Sequence, residues 1–210
     1  MFNSRNRCLF FELTIFMLFI LGFVMDHLLS VAAQDQHTST ADYGSQMVQY
    51  TRQGRYDEAI ETGLRALRNQ PKDAAVYQQI IVVYLIRAEK DPTKREQWIL
   101  QSIRYVERAL SADSDNPVNV RDVALDLEKA GDLSSGKKCQ YYGRAIDLSK
   151  RMATLLEGDH ITAGGQTYPV DPVRKEFVVD GHTFRIEPLQ RANEKLSGSV
   201  TAKMMNAKCS

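Results

Sequence analysis

Glycine and proline are scarce in this chain, 12 and 6 of 210 residues, which excludes a collagenous or low-complexity polypeptide. An excess of charge is also missing. The 27 Lys and Arg face 26 Asp and Glu, a net of +1, so there is no long-range field to hold a phosphate backbone, and nucleic acid is not an expected partner. No metal-ligand spacing, nucleophile elbow or phosphate-cradling glycine loop occurs. His160 and His182, with Asp159, Asp171 and Asp180 nearby, come nearest to a catalytic cluster; they read as surface loop residues, and Gly164-Gly165 as a turn. The expectation is a protein that is not an enzyme, with no catalytic residues, cofactor or metal. What remains, 43% hydrophobic and 25% charged residues, is an ordinary globular composition at the length of one domain.

Long apolar runs are limited to one. Arg5 and Arg7 precede Leu9 to Met25, interrupted only by Glu12, and Leu28 to Ala33 follows with Val31 and Ala33 at alternate positions. Basic, apolar and small-residue parts in that order form a secretory signal, with cleavage after Ala33. The alternative is an uncleaved signal anchor: the run would span roughly 26 Å as a helix against a hydrocarbon core of about 30 Å. Both readings leave the remainder outside the cytoplasm, periplasmic or secreted, and tethered to the inner membrane by residues 9–25 if cleavage does not occur. Membrane contact is expected only through this segment. Cys8 precedes the apolar run and is no lipoprotein acylation site. Removing residues 1–33 keeps the balance at +1. Cys139 and Cys209 then lie in a compartment that permits disulfides, either bonded to each other or free, with Cys139 placed toward its helix interior as a small buried thiol.

Residues 34–42 are polar and read as a flexible linker. Helical spacing begins at Tyr43, Met47 and Tyr50, breaks at Gly54, and resumes through Tyr56, Ala59, Ile60, Leu64 and Leu67 before Pro71. A second pair carries Tyr77, Ile80, Ile81, Tyr84, Leu85 and Ala88, then Trp98, Ile99, Ser102, Val106 and Ala109, with Asp91 as N-cap and Pro92 at the first helical position of its second helix. Asn116-Pro117 opens a third, with Val120, Val123, Ala124 and Leu127. There Gly131 is expected to turn the chain and Leu133 to about Glu157 to form one long helix.

Tyr43, Tyr50, Gly54, Tyr56, Ala59, Ala66 and Pro71 resemble the tetratricopeptide repeat (TPR), a helical hairpin of about 34 residues. Ser102 to Ser114 replays Ala59 to Pro71 at the same 12-residue step, while Tyr84 to Ser102 is nine residues longer than Tyr50 to Ala59. Those extra residues, around Ala88 to Glu96, should lengthen both helices by about one turn each. The resemblance implies an all-α antiparallel helix-hairpin solenoid of about three repeats over residues 43–157. A generic helical bundle could carry the same stripes.

The family's first helices line a concave groove, so the resemblance places candidate partner-binding residues at Gly44, Val48 and Thr51, at Gln78, Val82 and Leu85, and at Arg121, Leu125 and Glu128. Members that clamp a chaperone's C-terminal carboxylate use Lys and Asn where this chain has Gly44 and Val48, so no such clamp is expected. The helix from Val76 to Ala88 is apolar nearly all round, through burial in a solenoid or because Val82, Leu85 and Ile86 face a ligand.

Residues 158–210 change period. Lys175 to Val179 and His182 to Ile186 flank Asp180-Gly181, a β-hairpin over about 175–187, and Tyr168 to Val170 offers a short further edge. Phe177, Val179, Phe184 and Ile186 should pack on the last helix, capping the array, or fold into the groove. Leu189 to Leu196 is a short helical stretch, and Ser197 onward reads as tail. The sequence thus suggests a protein-interaction scaffold that holds a partner peptide or helix in its groove, or along the extended tip near Asp91. The alternative is a structural subunit of an envelope assembly that makes contacts through its N-terminal anchor and C-terminal extension.

Overall fold

The computed structural model describes residues 40–179 and 182–209, with the backbone alone at Thr40, Ala41, Val179 and His182. The expected leader, residues 34–39 of the expected linker, the expected Asp180-Gly181 turn and Ser210 lie outside the described residues. The architecture is an all-α array of helical hairpins carrying two small β-hairpins near its C-terminus. Among the described residues no helix is long and apolar enough to cross a membrane.

Helices α1 (Thr40–Arg52) and α2 (Tyr56–Asn69) form the first pair. Gly54 turns between them at φ +73°, in the left-handed region where a side chain is penalised. Tyr43 and Met47 of α1 bury with Ala59, Ile60, Ala66 and Leu67 of α2 against Val76, Ile80 and Val83 of the next helix. Small residues at the crossing let the axes approach: Ala59 is fully buried.

The second pair, α3 (Ala74–Lys90) and α4 (Arg95–Ala112), is longer, 17 and 18 residues against 13 and 14. Asp73 caps α3 by accepting from the Val76 amide at 3.1 Å. The start of α4 departs from expectation. Asp91 ends α3, and its carboxylate accepts from Thr93 Oγ1, the Lys94 amide and Trp98 Nε1 at 2.6, 3.2 and 3.2 Å. Those bonds fold residues 91–94 into a turn, so α4 begins three residues beyond Pro92. They also hold the Asp91 carboxyl below the usual range, the Thr93 hydroxyl most strongly. Arg87 stacks over the Trp98 ring at 3.8 Å and closes the tip of the pair.

The third pair is α5 (Pro117–Leu133) and α6 (Lys138–Glu157). Asn116 caps α5 with Pro117 at its first turn, as its sequence predicts. The break between the helices is not at Gly131, which remains helical and buried. The turn falls at Ser134 to Lys137, because Glu96 of α4 gathers the Ser135 amide at 2.7 Å and the hydroxyls of Ser134 and Ser135. A contact from another repeat sets this boundary.

Beyond α6 come β1 (His160–Ala163) and β2 (Gln166–Pro169), then β3 (Glu176–Val179) and β4 (His182–Arg185), each pair antiparallel. Gly164 and Gly165, both at positive φ, make the first of these turns. Phe177 stands opposite Phe184 with ring centroids 5.4 Å apart. Phe177, Ile161, Val170 and Ile186 bury against Val120, Met152 and Leu156, while Phe184 stays partly exposed. The predicted hairpin therefore packs at the far end of α6 and does not fill the groove.

The expected tail is a helix. α7 (Ile186–Asn206) runs 21 residues and packs on α6 and α5 through Leu189, Leu196 and Val200. Its apolar positions are sparse, so its sequence pattern is weak, and tertiary burial supplies most of its stability. Asn193 fixes the docking: its Oδ1 accepts from Ser149 Oγ at 2.8 Å and its Nδ2 donates to the Ser149 carbonyl at 2.9 Å. Cys139, at the start of α6, is bonded to Cys209, just past α7. The Cys139 residue is exposed rather than buried, while Tyr141 and Tyr142 one turn on are buried in the core.

Candidate partner-binding groove

Three helices separated in sequence meet along one concave face. Met47, Val48, Thr51 and Arg52 of α1, Gln78, Gln79, Val82, Val83 and Ile86 of α3, and Asp122, Leu125 and Asp126 of α5 enclose a groove of about 450 Å³. It is the size of a site for a small ligand or for a few side chains of a peptide. The walls are mostly apolar. Val48, Val82 and Leu125 are exposed at 43%, 43% and 44%, an apolar strip that core packing does not require.

Five sequence candidates lie together here: Val48, Thr51, Gln78, Val82 and Leu125. The others do not. Leu85 is buried among Ile81, Ala88, Ile99 and Val106, because the groove follows the four-residue row 78, 82, 86 and a three-residue step from Val82 turns inward. Ile86 takes its place. Arg121 instead pairs with Asp122 at 2.7 Å, and Asp122 and Asp126 supply the polar part of the α5 lining. Glu128 accepts from Ser199 Oγ at 2.6 Å and Lys203 Nζ at 2.8 Å, so α7 covers it. Gly44 is buried; a Cβ there would stand 3.0 Å from Gln79 Nε2.

Asp126 is the residue that the repeat register missed. It sits four residues after Asp122 on the same face, and no ion pair reaches it among the described residues. Burial, and then the Asp122 charge, push its carboxyl well above the usual carboxylate range. The Gln78 side-chain amide meets it: with nitrogen toward the carboxylate, Gln78 donates to Asp126 Oδ2 at 2.5 Å and accepts from the Val123 amide at 3.0 Å. Turned over, the amide nitrogen donates to Asn119 at 3.4 Å, and its oxygen faces Asp126, which then must hold a proton to donate. The signal available in the sequence was the pair of carboxylates four apart beside Leu125.

A second concavity, of about 760 Å³, opens between Lys72, Asp73, Asp113, Asn116 and the Gly164-Gly165 turn. Gly164 donates its amide to Asp113 Oδ2 at 3.0 Å, which ties the β1–β2 turn to the end of α4. Asp171 accepts from the amides of Val173 and Arg174 and shapes a turn, and His160 Nδ1 contacts Asp159 at 2.5 Å at an exposed site. The His182 side chain is outside the described residues. No group of three or more His, Cys, Asp or Glu is placed to hold a metal among the described residues. No protein-family model matches the chain, and no curated protein matches it.

Proposed function

We propose that this protein is a non-enzymatic interaction scaffold of tetratricopeptide type that acts outside the cytoplasm and holds a partner peptide or helix in the groove of α1, α3 and α5. The observation that carries this reading is the exposed apolar strip of Val48, Val82 and Leu125 along a concave face built from the first helix of each pair. An amphipathic segment laid there would bury side chains that otherwise face water. The Cys139–Cys209 bond supports an oxidising compartment. The test is crosslinking in native membranes with the wild-type chain and with Val82→Glu and Leu125→Glu, whose exposed positions leave the fold intact. Loss of the same captured protein from both variants, with unchanged circular dichroism, is the expected result.

A second reading has its own observation. The C-terminal extension exposes Val173 at 88%, Val178 at 50% and Met205 at 68%, surfaces that suit a structural subunit of an envelope assembly. It predicts that Val173→Asp and Met205→Asp, not the groove variants, release the crosslinked partner.

A further inference from the structure

The groove is apolar on its walls and short of a cation at its floor. Asp126 and Asp122 face it from α5, and Gln78 faces Asp126 from α3. The Asp122 carboxylate is engaged by Arg121 at 2.7 Å, whereas Asp126 meets the Gln78 amide and no ion-pair partner among the described residues. Arg52 lines the groove from α1, yet it forms no ion pair with Asp126. The half-buried Asp126 shares the groove lining with Met47, Val82, Val83 and Leu125, has no ion pair among the described residues, and its pKa is raised by partial burial without a counter-charge. A cationic group entering from above would restore the ionised form, and the flexible Gln78 amide would turn its nitrogen to the same carboxylate.

We propose that the groove's occupant is a polypeptide segment bearing one Lys or Arg flanked by apolar residues, with the basic head group paired to Asp126 and the apolar neighbours seated on Val48, Val82 and Leu125. This rests on the groove being the partner-binding surface. Charge complementarity selects the class: an acidic segment would place a like charge beside Asp122 and Asp126, and a purely apolar one would cover Asp126 without supplying a counter-charge. Asp126 acts here as a specificity determinant, and Gln78 positions it.

The test is selection of a random 12-residue peptide display library on the immobilised full chain, with Val82→Glu as the groove-blocked control. The expected peptides bind wild type, fail on Val82→Glu, and share a basic residue beside apolar ones. Replacing that residue with norleucine weakens binding to wild type by about tenfold or more, and Asp126→Asn removes that difference while the norleucine peptide still binds. Calorimetry in buffers of different ionisation enthalpy adds a readout that simple packing would not move: the basic peptide releases a proton from wild type and none from Asp126→Asn. Groove-dependent peptides without a basic residue, or a basic residue indifferent to Asp126→Asn, overturn the proposal and leave groove binding standing. Peptides that bind wild type and Val82→Glu equally overturn both.

Discussion

Gly131 of α5 lies against the ring of Tyr142 in α6 so closely that a Cβ at residue 131 would stand 2.4 Å from Tyr142 Cε1. The ring cannot slide aside freely, because its hydroxyl donates to Asp132 Oδ1 at 2.7 Å and the residue is 3% exposed. Burial, and then that bond, push the phenol up to about 12. Gly131→Ala should therefore destabilise the third pair, although alanine is the better helix former by about 1 kcal/mol. Overpacking of this kind costs about 1–3 kcal/mol, so a net loss near 1 kcal/mol is expected by urea denaturation. An unchanged or higher midpoint would show that the ring has room.

The Cys139–Cys209 bond closes a loop of 70 residues around α6, both β-hairpins and α7. A cross-link of that span stabilises chiefly by restricting the unfolded chain, typically by about 2–4 kcal/mol. Cys139→Ser should lower the thermal midpoint to that of the reduced wild type, and adding reductant to the variant should change nothing further. A reductant-insensitive wild-type midpoint would argue that the C-terminus is held by packing alone.

Asp126 makes stability depend on pH in a defined direction. Its folded pKa is raised above the ordinary 3.8 by burial and by Asp122, so the folded chain keeps a proton that the unfolded chain has already lost. Stability therefore falls as pH rises from the ordinary carboxylate pKa through the raised one. Asp126→Asn keeps the shape without the charge. Its melting temperature should exceed that of wild type at pH 8, by about 2–4 °C for each kcal/mol relieved, and the gap should close at pH 4. A wild type that is the more stable of the two at pH 8 would mean a counter-charge reaches Asp126 in solution.

Asn193 is 6% exposed and holds α7 on α6 through both polar atoms of its side chain. Asn193→Ala leaves the Ser149 hydroxyl without its acceptor and the Ser149 carbonyl without that donor, at a cost of about 1–3 kcal/mol. Hydrogen exchange should quicken first in residues 186–206. Exchange that quickens uniformly across the array would show that α7 does not open by itself.

Tyr43 and Met47 lie on one stripe of α1, and Ala59 and Ala66 on one stripe of α2, because residues three, four or seven apart share a helix face, and the two stripes bury together. The Asp73 and Asn116 caps are equally local, a side-chain oxygen meeting an amide two or three residues on. Gly54 and the β3–β4 register belong to the same class, since each depends on conformation within a few residues. Five groove positions came from the resemblance to the tetratricopeptide repeat, whose first helices line a groove, and not from periodicity alone.

Other features needed contacts between parts of the chain that no local pattern relates. The α5–α6 turn is at Ser134 because Glu96, 39 residues from Ser135, binds it there. α7 forms because α5 and α6 offer it a surface, and by forming it removes Glu128 from the groove. Asp126 became a half-buried carboxylate of raised pKa only when α1 and α3 came together with α5 around the groove that it lines. Periodicity and capping act over one helical turn and are written in sequence; burial, counter-charge and the exact rotation of each helix are properties of the assembled packing, and packing alone decided which side chains face the groove.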